Sequence, residues 1–159
     1  MYISNYRYIL VRRNIYVGPH IVTVPVLILD RPVTRLASAI TPRLVTAGKG
    51  FIVNVSSVVG LAPEYQMSVY GASKAFVLFL SQGMNQELSS KGIYVQALLP
   101  AGTYTEIWQR AGIDISNSSP MMEVNELVDA ALVGFDRREL VTIPPLHNAA
   151  HWDDLEATR

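Results

Sequence analysis

Two short apolar runs and the helix-like stretch between them dominate the pattern. Phe51-Ile52-Val53-Asn54-Val55 is β-branched and bounded by glycine and serine, so it predicts a buried parallel strand. Ile93 to Leu99 predicts a second, stopped by Pro100. From Tyr70 to about Ser90, Phe76, Val77, Leu80, Met84 and Leu88 fit a long helix that Gly92 ends. Upstream, Val33, Leu36, Ala37, Ile40 and Leu44 recur at helical spacing. Pro32 suits that helix's first turn with Asp30 as its cap; Pro42 would kink or end it, and Gly48 and Gly50 close it.

Before that helix, Ile21 to Leu29 reads as a strand that Pro25 bends or moves to an edge, and Tyr8 to Val11 as a short strand. Gly60 to Gln66 reads as a loop, Thr103 to Gly112 as a short helical segment and Ile113 to Pro120 as a polar loop. Glu123 to Phe135 is an amphipathic helix, and Glu139 to Ile143 a short strand ended by Pro144-Pro145. The remaining tail is polar with one anchor, Trp152. Strand–helix–strand–helix–strand implies an α/β fold: parallel strands, right-handed crossovers, helices over the sheet.

The 159 residues fit one domain able to bury a core. Lys+Arg and Asp+Glu balance at 13 each, which gives no footprint for nucleic acid or an anionic membrane surface. Residues 1–20 mix basic and aromatic side chains without a basic patch, so a nucleic-acid role is not expected there either. The absence of cysteine excludes disulfides, thiolate metal sites and cysteine nucleophiles, and it fits a cytoplasmic protein. His20, His147 and His151 are too scattered to suggest a metal centre. No apolar run is long enough to span a membrane, and the N-terminus lacks the pattern of a signal peptide.

Candidate chemistry lies between Ser57 and Lys74, read as SVVGLAPEYQMSVYGASK. Tyr70 and Lys74 are one helical turn apart and leave the same face. Such a pair is also the ordinary snorkelling arrangement of a helix surface. A phenol ordinarily titrates near ~10. An ammonium about 4–5 Å away stabilises the phenolate by roughly 3–4 kcal/mol at an effective dielectric of ~20, which brings the tyrosine into acid–base range. Ser57 just past the first strand offers a hydroxyl for a substrate oxygen; Ser56, the preceding residue, should point to the opposite face. In open parallel sheets ligands bind beyond the carboxyl ends of the strands. Ser57, the start of the Tyr70 helix and Pro100-Ala101-Gly102-Thr103 all fall at that edge. A serine hydrolase is disfavoured, since Ser57 sits in S-S-V-V-G rather than G-x-S-x-G.

Gly50-Phe51-Ile52-Val53-Asn54-Val55-Ser56-Ser57, Val69-Tyr70-Gly71-Ala72-Ser73-Lys74-Ala75 and Gly92 to Pro100 together resemble the short-chain dehydrogenase/reductase family in order, content and spacing. The resemblance runs from about Val33 to the C-terminus. It implies a partial Rossmann-like, doubly wound domain over residues 31–159, behind a non-matching leader at 1–30. It implies an NAD(P)-dependent oxidoreductase acting on a small carbonyl or alcohol. Tyr70 is then the general acid/base, Ser57 orients the substrate oxygen, and Lys74 lowers the tyrosine pKa and binds the nicotinamide ribose. Pro100, Gly102, Thr103 and Thr105 fall where the family contacts the cofactor, with Gly102 displaced by one position. The segment Trp108 to Met122 falls where the family lines its substrate pocket. The long helix from Tyr70 commonly packs on its copy in the family's oligomers.

Upstream, the resemblance fails. The family opens with a glycine-rich turn that seats the pyrophosphate on a helix N-terminus. Here Gly18 is the only glycine before Gly48. The Asn-Ala-Gly stretch is missing too, and Leu29 falls near the place of the family's proton-relay asparagine. The expectation is therefore a C-terminal half lacking the usual nucleotide-binding half, a truncated enzyme or a non-catalytic remnant acting as an interaction module. It should leave an unpaired edge at Phe51 and exposed apolar helix faces.

Overall fold

The computed structural model describes residues 26–116, 118 and 120–158. The expected strands at Tyr8–Val11 and over 21–25 lie outside the described residues, as does His20. Helix α1 spans Val26–Ala47 and strand β1 Gly50–Val55. Two short 3-10 turns, Val58–Gly60 and Pro63–Tyr65, lead to helix α2 at Ser68–Leu88. Strand β2 is Ile93–Leu98, followed by the single-turn helix α3, Ile107–Arg110. Helix α4 (Val124–Asp136), strand β3 (Val141–Thr142) and helix α5 (Ala150–Ala157) complete the chain.

The strands form a parallel sheet in the order β1-β2-β3, with Gly50 opposite Ile93 and Val55 opposite Leu98. This is the predicted α/β architecture. Register divides the side chains into two faces. Ile93 and Val95 meet Ala37 of α1 and Met84 and Leu88 of α2, with Ile52, Leu44 and Leu80 beside them. Along the same face Ala97 packs with Leu78, Leu99, Val141 and Trp152, the anchor the tail was expected to supply. The opposite face carries Tyr94, Gln96 and Leu98 on β2 and Phe51, Val53 and Val55 on β1. Phe135 of α4 meets Phe51 and Tyr94 edge to face, at ring-centroid distances of 4.9 and 5.3 Å.

Several expectations change. Val26 to Leu29 are helical rather than strand, so Asp30 is not a cap and Pro32 stands inside the helix. Pro42 does not end α1 either. Each internal proline costs a backbone hydrogen bond, about 3 kcal/mol or more. Burial of Ala37 before Pro42 and packing of Leu44 after it hold the helix through the break. The Thr41 and Thr46 hydroxyls donate to the Ala37 and Pro42 carbonyls on either side. Leu36 and Ile40 stay exposed, because α1 has a wider apolar stripe than the sheet and α2 cover. The polar tail forms α5, and the loop after Gly60 is half 3-10. Strand β1 is buried on one face only, and among the described residues it is an edge strand, as expected. Glu123 and Glu126 open α4 as a reciprocal capping box.

Candidate active site

The carboxyl ends of β1 and β2 and the first turns of α2 meet at one corner of the sheet. Past Val55 the chain stays bonded to β2: the Ser56 amide donates to the Leu98 carbonyl at 2.7 Å and the Val58 amide to the Pro100 carbonyl at 3.0 Å. Ser57 is extended and caps the 3-10 turn, its Oγ accepting from the Val59 amide at 3.3 Å and donating to the Pro100 carbonyl at 3.3 Å. That turn lies hard against α2. A methyl at Gly60 would meet the Ala75 amide nitrogen at 2.7 Å and the Lys74 carbonyl carbon at 2.8 Å. Glycine at that position therefore sets how closely Ser57 approaches the helix.

Tyr70 and Lys74 emerge from the first two turns of α2 on one face, with the Lys74 ammonium 5.5 Å from the Tyr70 ring centroid. Ser57 lies near enough to the Tyr70 phenol to favour its ionised form. Lys74 Nζ donates to the Val55 carbonyl at 3.1 Å. The three predicted residues thus converge. The expected electrostatics do not hold in this arrangement, however. Burial pushes the Tyr70 phenol up, and Ser57 pulls it only part of the way back. The Lys74 ammonium lies over the ring and is bonded to a backbone carbonyl, so it acts on the ring face more than on the phenol oxygen. Burial lowers Lys74, and the Asp30 carboxylate works against that.

Sequence reasoning missed the residues that hold this pair in place. Ser56 does point away from Ser57, but it is not idle: its Oγ donates to the Lys74 carbonyl at 2.6 Å. Ser73, only 1% exposed, donates to Asp30 Oδ1 at 2.6 Å. The signal for both lay in the sequence, as a serine adjacent to each candidate. The signal for Asp30 was masked by reading it as a helix cap.

The loop after β2 is tied to the segment before α4. Thr103 bridges Met122, the Tyr104 amide donates to the Met122 carbonyl at 2.9 Å, and the Met122 amide to the Gly102 carbonyl at 3.0 Å. Trp108 Nε1 donates to the Thr103 carbonyl at 2.8 Å. Pro100, Gly102 and Thr103 are half-buried beside the site and Thr105 is exposed; Met121 fills the space beside Gly102. Thr103 Oγ1 is engaged with the Ala101 carbonyl at 3.1 Å. The donor set suits the ribose end of a nicotinamide cofactor: after its bond to Val55, Lys74 keeps two N–H donors, and Tyr70 a hydroxyl, at the open mouth of the sheet. The described residues offer no glycine-rich turn at a helix N-terminus for the pyrophosphate. No helix among them is long and apolar enough to cross a membrane.

Comparison with known proteins agrees with this architecture. A short-chain dehydrogenase from Sphingobium yanoikuyae, solved in complex with NADPH, is 66% identical over 85% of this chain and 53% of its own, with a TM-score of 0.82. An alcohol dehydrogenase from Comamonas testosteroni, described as specific for bulky-bulky ketones, is 51% identical over 93% of this chain and 56% of its own, with a TM-score of 0.76. The very-long-chain 3-oxoacyl-CoA reductase of Rattus norvegicus is 45% identical over 75 residues, 47% of this chain and 23% of that protein. The chain spans about half the length of these solved relatives and about a quarter of the curated one. Residues 31–115, more than half of the chain, match the short chain dehydrogenase family of NAD(P)-dependent oxidoreductases, and the chain belongs to that family.

Proposed function

We propose that this chain carries the proton-transfer corner of an NAD(P)-dependent oxidoreductase that interconverts a bulky ketone and its alcohol. The observation that carries the reading is the convergence of Ser57, Tyr70 and Lys74 at the carboxyl edge of a parallel sheet. In this reading Ser57 donates to the substrate oxygen and fixes its place. Tyr70 delivers its hydroxyl proton to that oxygen during reduction and removes it during oxidation. A phenol raised by burial is in the protonated form that reduction requires. As the proton leaves, the Lys74 ammonium stabilises the phenolate charge. A bound nicotinamide supplies or accepts the hydride. Its ribose would be held by Tyr70 and Lys74, and Pro100, Gly102, Thr103 and Thr105 would form the wall beside it.

The bulky-ketone class is supported by the 51% identity to the Comamonas enzyme and by the apolar Trp108 and Met122, both fastened to Thr103. Residues 1–30 are read as a leader and 31–159 as the family domain. Pairing through α2 follows from Phe76 and Phe79, 40% and 69% exposed on that helix, and a cytoplasmic setting completes the proposal.

A second reading, a non-catalytic interaction module, is favoured by one observation, the apolar outer face of β1. Titrating the purified chain with NADH and NADPH, followed by nicotinamide fluorescence, separates the two. Saturable micromolar binding is expected for the oxidoreductase. A folded chain that binds neither nucleotide would sink it in favour of the module.

A further inference from the structure

One charged group near the site takes no part in the proposed chemistry. Asp30 stands out. It lies near the start of α1, 43 residues before the serine it touches. Its Oδ1 accepts from Ser73 Oγ at 2.6 Å, and Ser73 is almost fully buried. That bond fixes the carboxylate against the turn of α2 that carries Lys74. No ion pair within 4 Å of Lys74 occurs among the described residues, whose ion pairs are Arg110–Glu106 and Arg137–Glu139. The contacts of the Lys74 ammonium are otherwise uncharged: the Tyr70 ring on its own helix and the Val55 carbonyl from β1.

We propose that Asp30 is a positioning residue for the Tyr70–Lys74 pair: its carboxylate, tethered by the Ser73 hydroxyl, supplies a fixed negative charge beside the turn of α2 that presents Lys74. A half-buried lysine with a backbone carbonyl as its main partner tends to lose its proton. A carboxylate held on Ser73, the residue before Lys74, opposes that loss without forming a salt bridge. The ammonium therefore keeps donors for a ligand. Burial draws the Lys74 pKa down and Asp30 draws it up. Ser56, bonded to the Lys74 carbonyl, fixes the backbone end of the same residue. Asp30 thus acts on the side chain and Ser56 on the main chain.

The consequence for catalysis rests on reading Tyr70 and Lys74 as the acid–base pair; the test does not, because it needs neither cofactor nor substrate. The chain has three lysines, Lys49, Lys74 and Lys91. Isotope-labelled lysine therefore gives a spectrum simple enough to titrate each side chain by NMR, with K74R assigning the signal. Asp30→Asn keeps an oxygen for Ser73 and removes the charge. It is expected to lower the proton affinity of Lys74 about tenfold while leaving Lys49 and Lys91 unmoved. Ser73→Ala keeps the charge but frees the carboxylate, and is expected to lower it about threefold. Asp30→Glu should stay within about twofold of the unaltered chain. An Asp30→Asn variant that folds and titrates at Lys74 as the parent does would overturn the proposal. Should that variant not fold, an unchanged Lys74 titration in Ser73→Ala would overturn it instead.

Discussion

The two faces of the sheet are built to different standards. One is closed by α1 and α2, and Ile93, Val95 and Ala97 on it are 1%, 0% and 0% exposed. The other has α4 over β2 with only Phe135 reaching β1, leaving Phe51, Val53 and Val55 exposed at 60%, 41% and 53%. On α4 itself Val124, Val128, Leu132 and Val133 are also exposed. Tyr70, Lys74 and the brackets that Asp30 and Ser56 provide belong to the closed side. The corner that would do chemistry therefore rests on β1, α1, α2 and β2 and takes nothing from the open face. Catalytic geometry in this fold is local, whereas covering the sheet is a property of the whole domain.

The sharpest way to test that separation is to remove one oxygen from the closed side. Tyr70→Phe should cut ketone reduction by about 10²–10⁴-fold, the usual worth of a positioned proton donor. Stability should move by about 1 kcal/mol or less, since a half-buried hydroxyl loses no more than its interaction with Ser57. Steady-state rates and a urea midpoint check the two parts; a variant that keeps its rate would remove Tyr70 from the acid–base role.

Two glycines near α2 give the next contrast. Gly60→Ala places a methyl against backbone atoms of Lys74 and Ala75, which cannot swing aside, and should cost about 1–3 kcal/mol. Gly83→Ala, inside α2 with no atom within 4 Å of the added carbon, should instead stabilise by about 0.5–1 kcal/mol. Urea midpoints of the pair read both signs. Equal effects would mean that the turn at Gly60 gives way and that the corner is less tightly set than its contacts indicate.

What the sequence told in advance follows the same divide. The strands, α2, and the meeting of Ser57, Tyr70 and Lys74 were legible because they depend on short-range periodicity and on the strand-end rule. The start of α1 was not. Pro25 suggested a bent strand, Pro32 a helix beginning there and Pro42 its end, and packing through Ala37 and Leu44 holds the one continuous helix that forms instead. Asp30 was invisible as a site residue because its partner, Ser73, is 43 positions away, and no local pattern encodes that contact. The direction of the Tyr70 shift was misjudged for a related reason. Spacing gives the Tyr–Lys separation along the helix but not the burial around the phenol, and burial is the larger influence.

On the open face, a charge should be nearly free for the fold and decisive for association. Val53→Lys adds an ammonium to the exposed side of an edge strand, a common device against edge pairing. Its stability should stay within about 0.5 kcal/mol of the parent. Sedimentation at rising protein concentration should show less self-association. If association is unchanged, the contact between copies runs elsewhere, and the exposed Phe76 and Phe79 of α2 become the surface to alter.

The smallest effect lies where the open face is best covered. Tyr94 is half-buried against Phe135, and its hydroxyl donates to the Glu139 carbonyl at 2.6 Å. Burial pushes its phenol up to about 12, with Glu139 adding to the rise and Arg138 opposing it. An unfolded tyrosine releases its proton near ~10, so between about 10 and about 12 the folded chain holds a proton that the unfolded chain has lost. The stability from this group is therefore complete below about pH 10 and drains away as pH rises toward 12. Tyr94→Phe gives up the Glu139 bond at every pH, about 1 kcal/mol, but has no proton to lose. The parent should be the more stable protein at pH 8, and the gap should close as the pH approaches 12. Tyr70 is present in both chains and cancels from the difference. A gap that stays constant across the window would mean that Tyr94 titrates alike folded and unfolded, and that α4 shields the sheet no better over β2 than over β1.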